Sequence, residues 1–200
     1  MREYIEFMNH KSFQITEWCH RFIRDQVQPG DICIDATAGN GYDTLLLHQL
    51  VGEDGYVFAF DIQEEAIIRT AQLVDDADAP GEAEYFVCGH EQMKLQIPQE
   101  AQGQINCIMF NFGYLPGGSH EVSTTLDTSV EGIQQGLELL QVGGLMSLLI
   151  YSGGDTGFDE KTGILQYVKT LDTKQYVVIS NEYCNRPNHP PMLVLIYKLR

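Results

Sequence analysis

Positive charge is scarce in this chain: among 200 residues, 12 are lysine or arginine against 28 aspartates and glutamates, a net charge of −16. A protein that holds nucleic acid mainly by neutralising phosphates needs the opposite balance, so any such contact here has to be local. Lys11, Arg21 and Arg24 lie close in sequence and Arg186 sits in a late loop, with solvated surface charge as the competing reading for each. Long apolar runs are missing too. None approaches the roughly 20 residues that span a bilayer, and "MREYIEFMNHKSFQ" lacks the apolar centre of a signal peptide. The expectation is a soluble, cytoplasmic protein without membrane contact. Paired cysteines are also lacking. Cys19, Cys33, Cys88, Cys107 and Cys184 are odd in number and scattered, and no CxxC or HxxxH joins Cys184 and His189. Buried thiols are expected, not disulfides or a metal site.

What is present is apolar content of 44%, enough for one sizeable core, so residues 1–200 read as a single domain with an N-terminal helical segment over 1–28. In "FQITEWCHRFIRDQV" apolar residues recur at helical spacing until Pro29-Gly30 stops them. Strand Ile32 to Ala36, helix Tyr42 to Leu50, strand Tyr56 to Asp61 and helix Glu64 to Val74 follow, an alternation that implies a parallel sheet. "YFVC" and "INCIMF" read as strands three and four. Thr128 and Glu131 have capping-box spacing, which predicts a helix starting near Thr128. "GLMSLLIY" is a fifth strand, a helix spans Asp159 to Leu171, and "QYVVIS" and "MLVLIY" close the chain. The short connection between these last two strands makes them antiparallel neighbours. The layout resembles the α/β, Rossmann-like class I methyltransferase fold: a seven-stranded, mostly parallel sheet with an antiparallel last strand and helices on both faces.

In "CIDATAGNGYDTLLL", Gly39 and Gly41 let main chain turn tightly and approach a ligand, and the following helix aims unpaired amides at the loop. A plain strand-to-helix turn is the competing reading. About 20 residues on, strand two ends in Phe60-Asp61-Ile62, where an acid can accept from both ribose hydroxyls. Loop and acid together point to a nucleoside-bearing cofactor. The loop lacks the third glycine of GxGxxG and carries Asp35, which repels a pyrophosphate but attracts the sulfonium and amino group of S-adenosylmethionine.

"PGDICIDATAGNGYDTLLL", "GYVFAFDIQEEAI", "NFGYLPGG" and "LLQVGGLMSLLIY" resemble the bacterial tRNA wobble-uridine methyltransferases long labelled rRNA methylases, from about Pro29 to Tyr151. The resemblance implies adenosylmethionine-dependent methylation of the exocyclic amine of 5-aminomethyl-2-thiouridine, with the tRNA anticodon loop as partner. It places Asp35, Gly39, Asn40, Gly41, Asp43 and Thr44 at the methionine end of the cofactor and Asp61, Ile62 and Gln63 at the ribose and adenine. His90 and Glu91, in the loop after strand three, are adenine-side candidates, with a surface histidine as the alternative. At the exit of strand five the family pattern YxGHxxGxxE meets Tyr151-Ser-Gly153-Gly154-Asp-Thr-Gly157-Phe-Asp-Glu160, without the histidine. That departure leaves room for a changed substrate.

"NFGYLPGGSH" stands where amine methyltransferases of this fold carry (D/N)PP(Y/F). By position, Asn111 becomes the acceptor that orients the target amine, close enough to count among the cofactor contacts, and Tyr114 the aromatic wall. Pro116 stiffens the loop and His120 is a possible proton acceptor. Tyr151, Arg186, Asn188 and His189, on strand-end loops, are candidate RNA contacts, though "NRPNHPP" reads equally as a proline-rigidified turn. Apolar edges of this fold often pair, which suggests a homodimer. Two alternatives remain: methylation of another RNA or a small-molecule amine, and a non-catalytic adenosylmethionine-binding protein.

Overall fold

In the strand Ile32–Asp35 (β1), Cys33 and Ile34 face opposite sides and join different apolar clusters. Cys107 and Ile108 of Ile105–Phe112 (β4), in register with them, repeat the split. A sheet that is apolar on both faces needs cover on both. The computed structural model, which describes residues 13–112, 125–151 and 157–200, supplies it. On one face lie helices Ile15–Gln26 (α1), Tyr42–Val51 (α2) and Glu64–Asp76 (α3). On the other lie Met93–Gln96 (α4), Leu126–Leu139 (α5) and Gly157–Val168 (α6), contributing Met93, Ile133, Leu137, Ile164 and Val168 to the larger core. In α1 the buried residues Ile15, Cys19 and Ile23 recur every fourth position, the stripe the sequence predicts.

The remaining strands are Tyr56–Asp61 (β2), Glu82–Val87 (β3), Leu140–Ile150 (β5), Tyr176–Asn181 (β6) and Met192–Lys198 (β7). Their order is β3-β2-β1-β4-β5-β7-β6. Neighbours from β3 to β5 pair in parallel, and β7 runs antiparallel to both β5 and β6, as the short last connection requires. The chain builds outward from β1 to β3 and returns to β4 on the other side. The carboxyl ends of β1 and β4 therefore flank the crevice where such sheets bind ligands.

Two boundaries differ from the sequence reading. Helix α5 starts two residues earlier than Thr128, because Thr125 is the N-cap and accepts from Thr128 N at 3.3 Å while Thr128 Oγ1 accepts from Thr125 N at 3.1 Å. Threonine at the third helical position thus does the work usually given to glutamate. Strand β5 begins at Leu140, not Gly144. Gln141 to Gly144 is absorbed as a register shift against β4, with Gly143 in the left-handed region at φ 84°. The glycine pair ahead of the apolar run is a bulge.

All five cysteines are free; Cys19, Cys33 and Cys107 are buried, Cys88 is half-buried and Cys184 exposed. Burial pushes the Cys19 thiol up to about 12 and those of Cys33 and Cys107 upward too, which makes them packing groups, not nucleophiles. Among the described residues no helix is long and apolar enough to cross a membrane.

Candidate active site

After β1 the chain is stitched across the crevice: Ala36 N donates to Met109 O at 2.9 Å and Ala38 N to Phe60 O at 2.8 Å. Gly39 and Gly41 take φ of 55° and 84°, so the loop closes in left-handed turns that a Cβ would strain. Gly41 has a second constraint, since a Cβ there would lie 2.9 Å from Thr70 Cα in α3. Its glycine is needed by helix packing as well as by any ligand. Gly41 also caps α2 with no side-chain hydrogen bond, leaving the first amides of that helix free to meet a polar group.

Three carboxylates surround the loop. Asp61, at the end of β2, accepts from Gly39 N and Gln63 N, both at 2.9 Å, which ties loop to strand and holds the acid at the crevice. Asp35 is fully buried, accepting from Thr44 Oγ1 at 2.6 Å and Thr37 N at 3.1 Å. Desolvation, then the nearby Asp43 carboxylate, raises it to about 7. Asp43, in the first turn of α2, meets His20 Nε2 at 2.6 Å through Oδ1 and accepts from Asn111 Nδ2 at 2.6 Å through Oδ2. Asn111 is anchored further by its main-chain N, which donates to Thr37 Oγ1 at 2.8 Å. Tyr151, just past the end of β5, has its hydroxyl pushed up by burial first and by the Asp43 charge second.

The other expected site residues sit as follows. Ile62 is exposed at the strand end beside Asp61, as an adenine contact would be. Asn40 Oδ1 accepts from the Arg69 guanidinium at 2.7 Å. His90 begins a 3-10 turn, His90–Gln92, but its ring turns inward, 6% exposed and edge-on to Phe110 and Phe112. Burial lowers its pKa. It is a buried histidine, not the surface residue of the alternative reading, with Asp61 among the charges acting on it. Glu91 packs back on the turn: its main-chain O accepts from Gln135 Nε2, and a Cβ on Gly89 would meet its carboxylate. Arg186 lies over the Tyr183 ring, 4.3 Å from its centroid, and His189 is exposed with φ 46°. Tyr114, Pro116, His120, Gly153 and Gly154 lie outside the described residues.

His20 and Thr37 join the site without having been expected there. His20 is next to Cys19 in the apolar stripe of α1, and no spacing connects it with Asp43, 23 residues on. Its signal is tertiary.

The donor set fits adenosylmethionine. Asp61 stands at the crevice where a ribose diol would meet it, and the negative charge of Asp43 and Asp35 behind the loop favours a sulfonium and an ammonium and would repel a pyrophosphate. Among the described residues the guanidinium bonded to this loop, Arg69, is taken up by Asn40.

A sheet of this order, a glycine loop after β1 and an acid after β2 define a class I S-adenosylmethionine-dependent methyltransferase. The chain belongs to the family described as "Putative rRNA methylase", whose sequence model matches residues 57–197. It is 36% identical over 191 residues to the Arabidopsis thaliana "tRNA (mnm(5)s(2)U34)-methyltransferase, chloroplastic", covering 92% of this chain and 69% of that one. The crystal structure of a "putative rRNA-methylase" from Clostridium thermocellum matches with a TM-score of 0.88 at 39% identity, over 93% of this chain and 98% of the other. A "putative methyltransferase" of Streptococcus mutans, solved in complex with SAH, matches with a TM-score of 0.81 at 34% identity, over 92% and 97%.

Proposed function

We propose that this enzyme N-methylates the exocyclic amine of 5-aminomethyl-2-thiouridine at the tRNA wobble position, giving the 5-methylaminomethyl product. The observation that carries the chemistry is the fixed Asn111 amide. With Nδ2 given to Asp43, Oδ1 is the end left to accept a hydrogen from an amine in the crevice. The Arabidopsis relative, whose name carries the nucleoside mnm(5)s(2)U34, supports the choice of substrate.

Bound adenosylmethionine supplies a methyl carbon made electrophilic by its sulfonium. The amine lone pair forms the C–N bond as the C–S bond breaks, the bonding pair goes to sulfur, and the product leaves as a secondary ammonium, the one proton released having left the substrate ammonium before attack. Only the neutral amine attacks, and each unit of amine pKa above the working pH costs about 1.4 kcal/mol. Asn111 Oδ1 accepts from the neutral amine and aims its lone pair at the methyl carbon, roughly 3 to 3.5 Å away. Asp43 holds the NH2 end of the amide, and Thr37 pins the main chain that carries it. A wobble base in a single-stranded loop can be splayed out to reach such a site, with Tyr114 as its stacking wall and Pro116, Tyr151, Arg186 and His189 at its border.

The test is incubation with adenosylmethionine and tRNA bearing 5-aminomethyl-2-thiouridine, followed by nucleoside mass spectrometry. Gain of one methyl at that nucleoside is the expected result, and no gain with cofactor bound overturns the acceptor. Asn111→Ala should lower kcat by about 10- to 100-fold with cofactor affinity within about threefold; unchanged turnover removes the role given to Asn111. The net charge of −16 favours a second reading, a small-molecule amine as acceptor, which methylation of free amines in the same assay would reveal.

A further inference from the structure

His20 lies on α1, outside the glycine loop, yet its imidazole ends inside the site. Nε2 stands 2.6 Å from Asp43 Oδ1, and the other oxygen of the same carboxylate holds Asn111 Nδ2 at 2.6 Å. The His20 and Asp43 side chains are only 15% and 16% exposed, so little water competes for either contact. A carboxylate oxygen accepts, so the imidazole nitrogen facing it carries the hydrogen, and the amide end facing it must be NH2.

The carboxylate torsion of an aspartate is broad and roughly two-fold, so one hydrogen bond to Asn111 does not by itself set its angle. A second bond from a ring seated on a packed helix does. The ring is carried by α1, whose Cys19 and Ile23 are buried on either side of His20 in sequence. Asn111 in turn has its main chain pinned to Thr37, which leaves the side-chain amide as the remaining freedom. A turned amide would aim its NH2 at the amine's own hydrogens and withdraw the acceptor the reaction needs.

We propose that His20 is a positioning residue for methyl transfer: acting through Asp43, it sets the rotation of the Asn111 amide so that Oδ1 faces the acceptor amine. This rests on the role given above to Asn111.

His20→Ala and His20→Gln test it together, because the Nε2 of glutamine can reach the place of the imidazole Nε2. His20→Ala should lower kcat on the modified tRNA by about 10- to 100-fold with cofactor affinity within about threefold, and His20→Gln should recover most of that loss. Equal loss in both variants, unchanged kcat in His20→Ala, or a loss confined to cofactor affinity overturns the proposal. A readout independent of the acceptor is the Asn111 side-chain NH2 pair in 1H–15N spectra, assigned by its absence in Asn111→Asp. His20→Ala should move this pair and His20→Gln should leave it near the wild-type position; an unmoved pair in His20→Ala sinks the brace. Should wild type fail to methylate the tRNA while the pair responds as expected, the acceptor reading falls and the brace stands.

Discussion

Asp35 carries the sharpest contrast between pattern and structure. By position it should meet the cofactor's amino group, yet its oxygens are turned to Thr44 and Thr37 and it is fully buried. Burial and the Asp43 charge raise it from 3.8 to about 7. The folded state therefore binds this proton more tightly than the unfolded chain does, so the stability it contributes is full below about 4 and declines as pH climbs toward 7. A cationic ligand favours the ionised form, so cofactor binding near neutral pH should release protons and tighten as pH rises from about 6 to 8. Calorimetry in buffers of different ionisation enthalpy measures the release, with Asp35→Asn as the control that removes it. Binding heats that do not depend on the buffer would leave Asp35 a brace for the loop and nothing more. Gly39, Gly41 and Asp61 were legible as residues because backbone sterics and a strand-end acid leave a local trace. His20 and Thr37 left none, since their partners are distant in the chain and the contacts form only when helix and strands converge.

Among the elements, helix α5 shows packing overruling propensity. Gly132 sits mid-helix, where alanine would be favoured by about 1 kcal/mol. A Cβ there would fall 2.4 Å from Cδ2 of the His90 ring, which Phe110 and Phe112 hold edge-on. Overpacking of a filled core costs about 1 to 3 kcal/mol, so Gly132→Ala should be net destabilising and lower the urea midpoint. A raised midpoint would mean that the ring has room to move. The same helix explains a missed boundary. Thr128 and Glu131 match the usual capping spacing, but Thr125 and Thr128 satisfy the free N-terminal amide first. In β5 the apolar run from Gly144 marks the strand in sequence, whereas the residues before it join the sheet through a bulge, which has no apolar alternation to show.

For the whole molecule, charge and the proposed tRNA substrate pull in different directions. With 12 basic residues against 28 acidic ones, tRNA cannot be gripped over many phosphates. The salt dependence of tRNA binding should accordingly be shallow, a log–log slope on the order of −2 to −3 at roughly 0.7 per single-strand phosphate contacted. Arg186→Ala should flatten it by about one contact. Filter binding across a salt series measures both, and a slope steeper than about −6 would overturn the expectation of few phosphate contacts.

Local pattern was enough for the class of fold. Alternating apolar runs, helix stops at Pro29-Gly30 and a last connection too short for a crossover leave few ways to build the sheet. It was enough, too, for the kind of cofactor, because the glycine turn and the Asp61 strand end act through main chain and one side chain each. Tertiary structure alone decided how the acids are shared out. Asp35 is turned behind the loop, Asp61 is tied to Gly39, and Asp43 is spent between His20 and Asn111. A side chain's partner depends on which strands lie side by side, and here the return of β4 to the flank of β1 brings residues 20, 43 and 111 together.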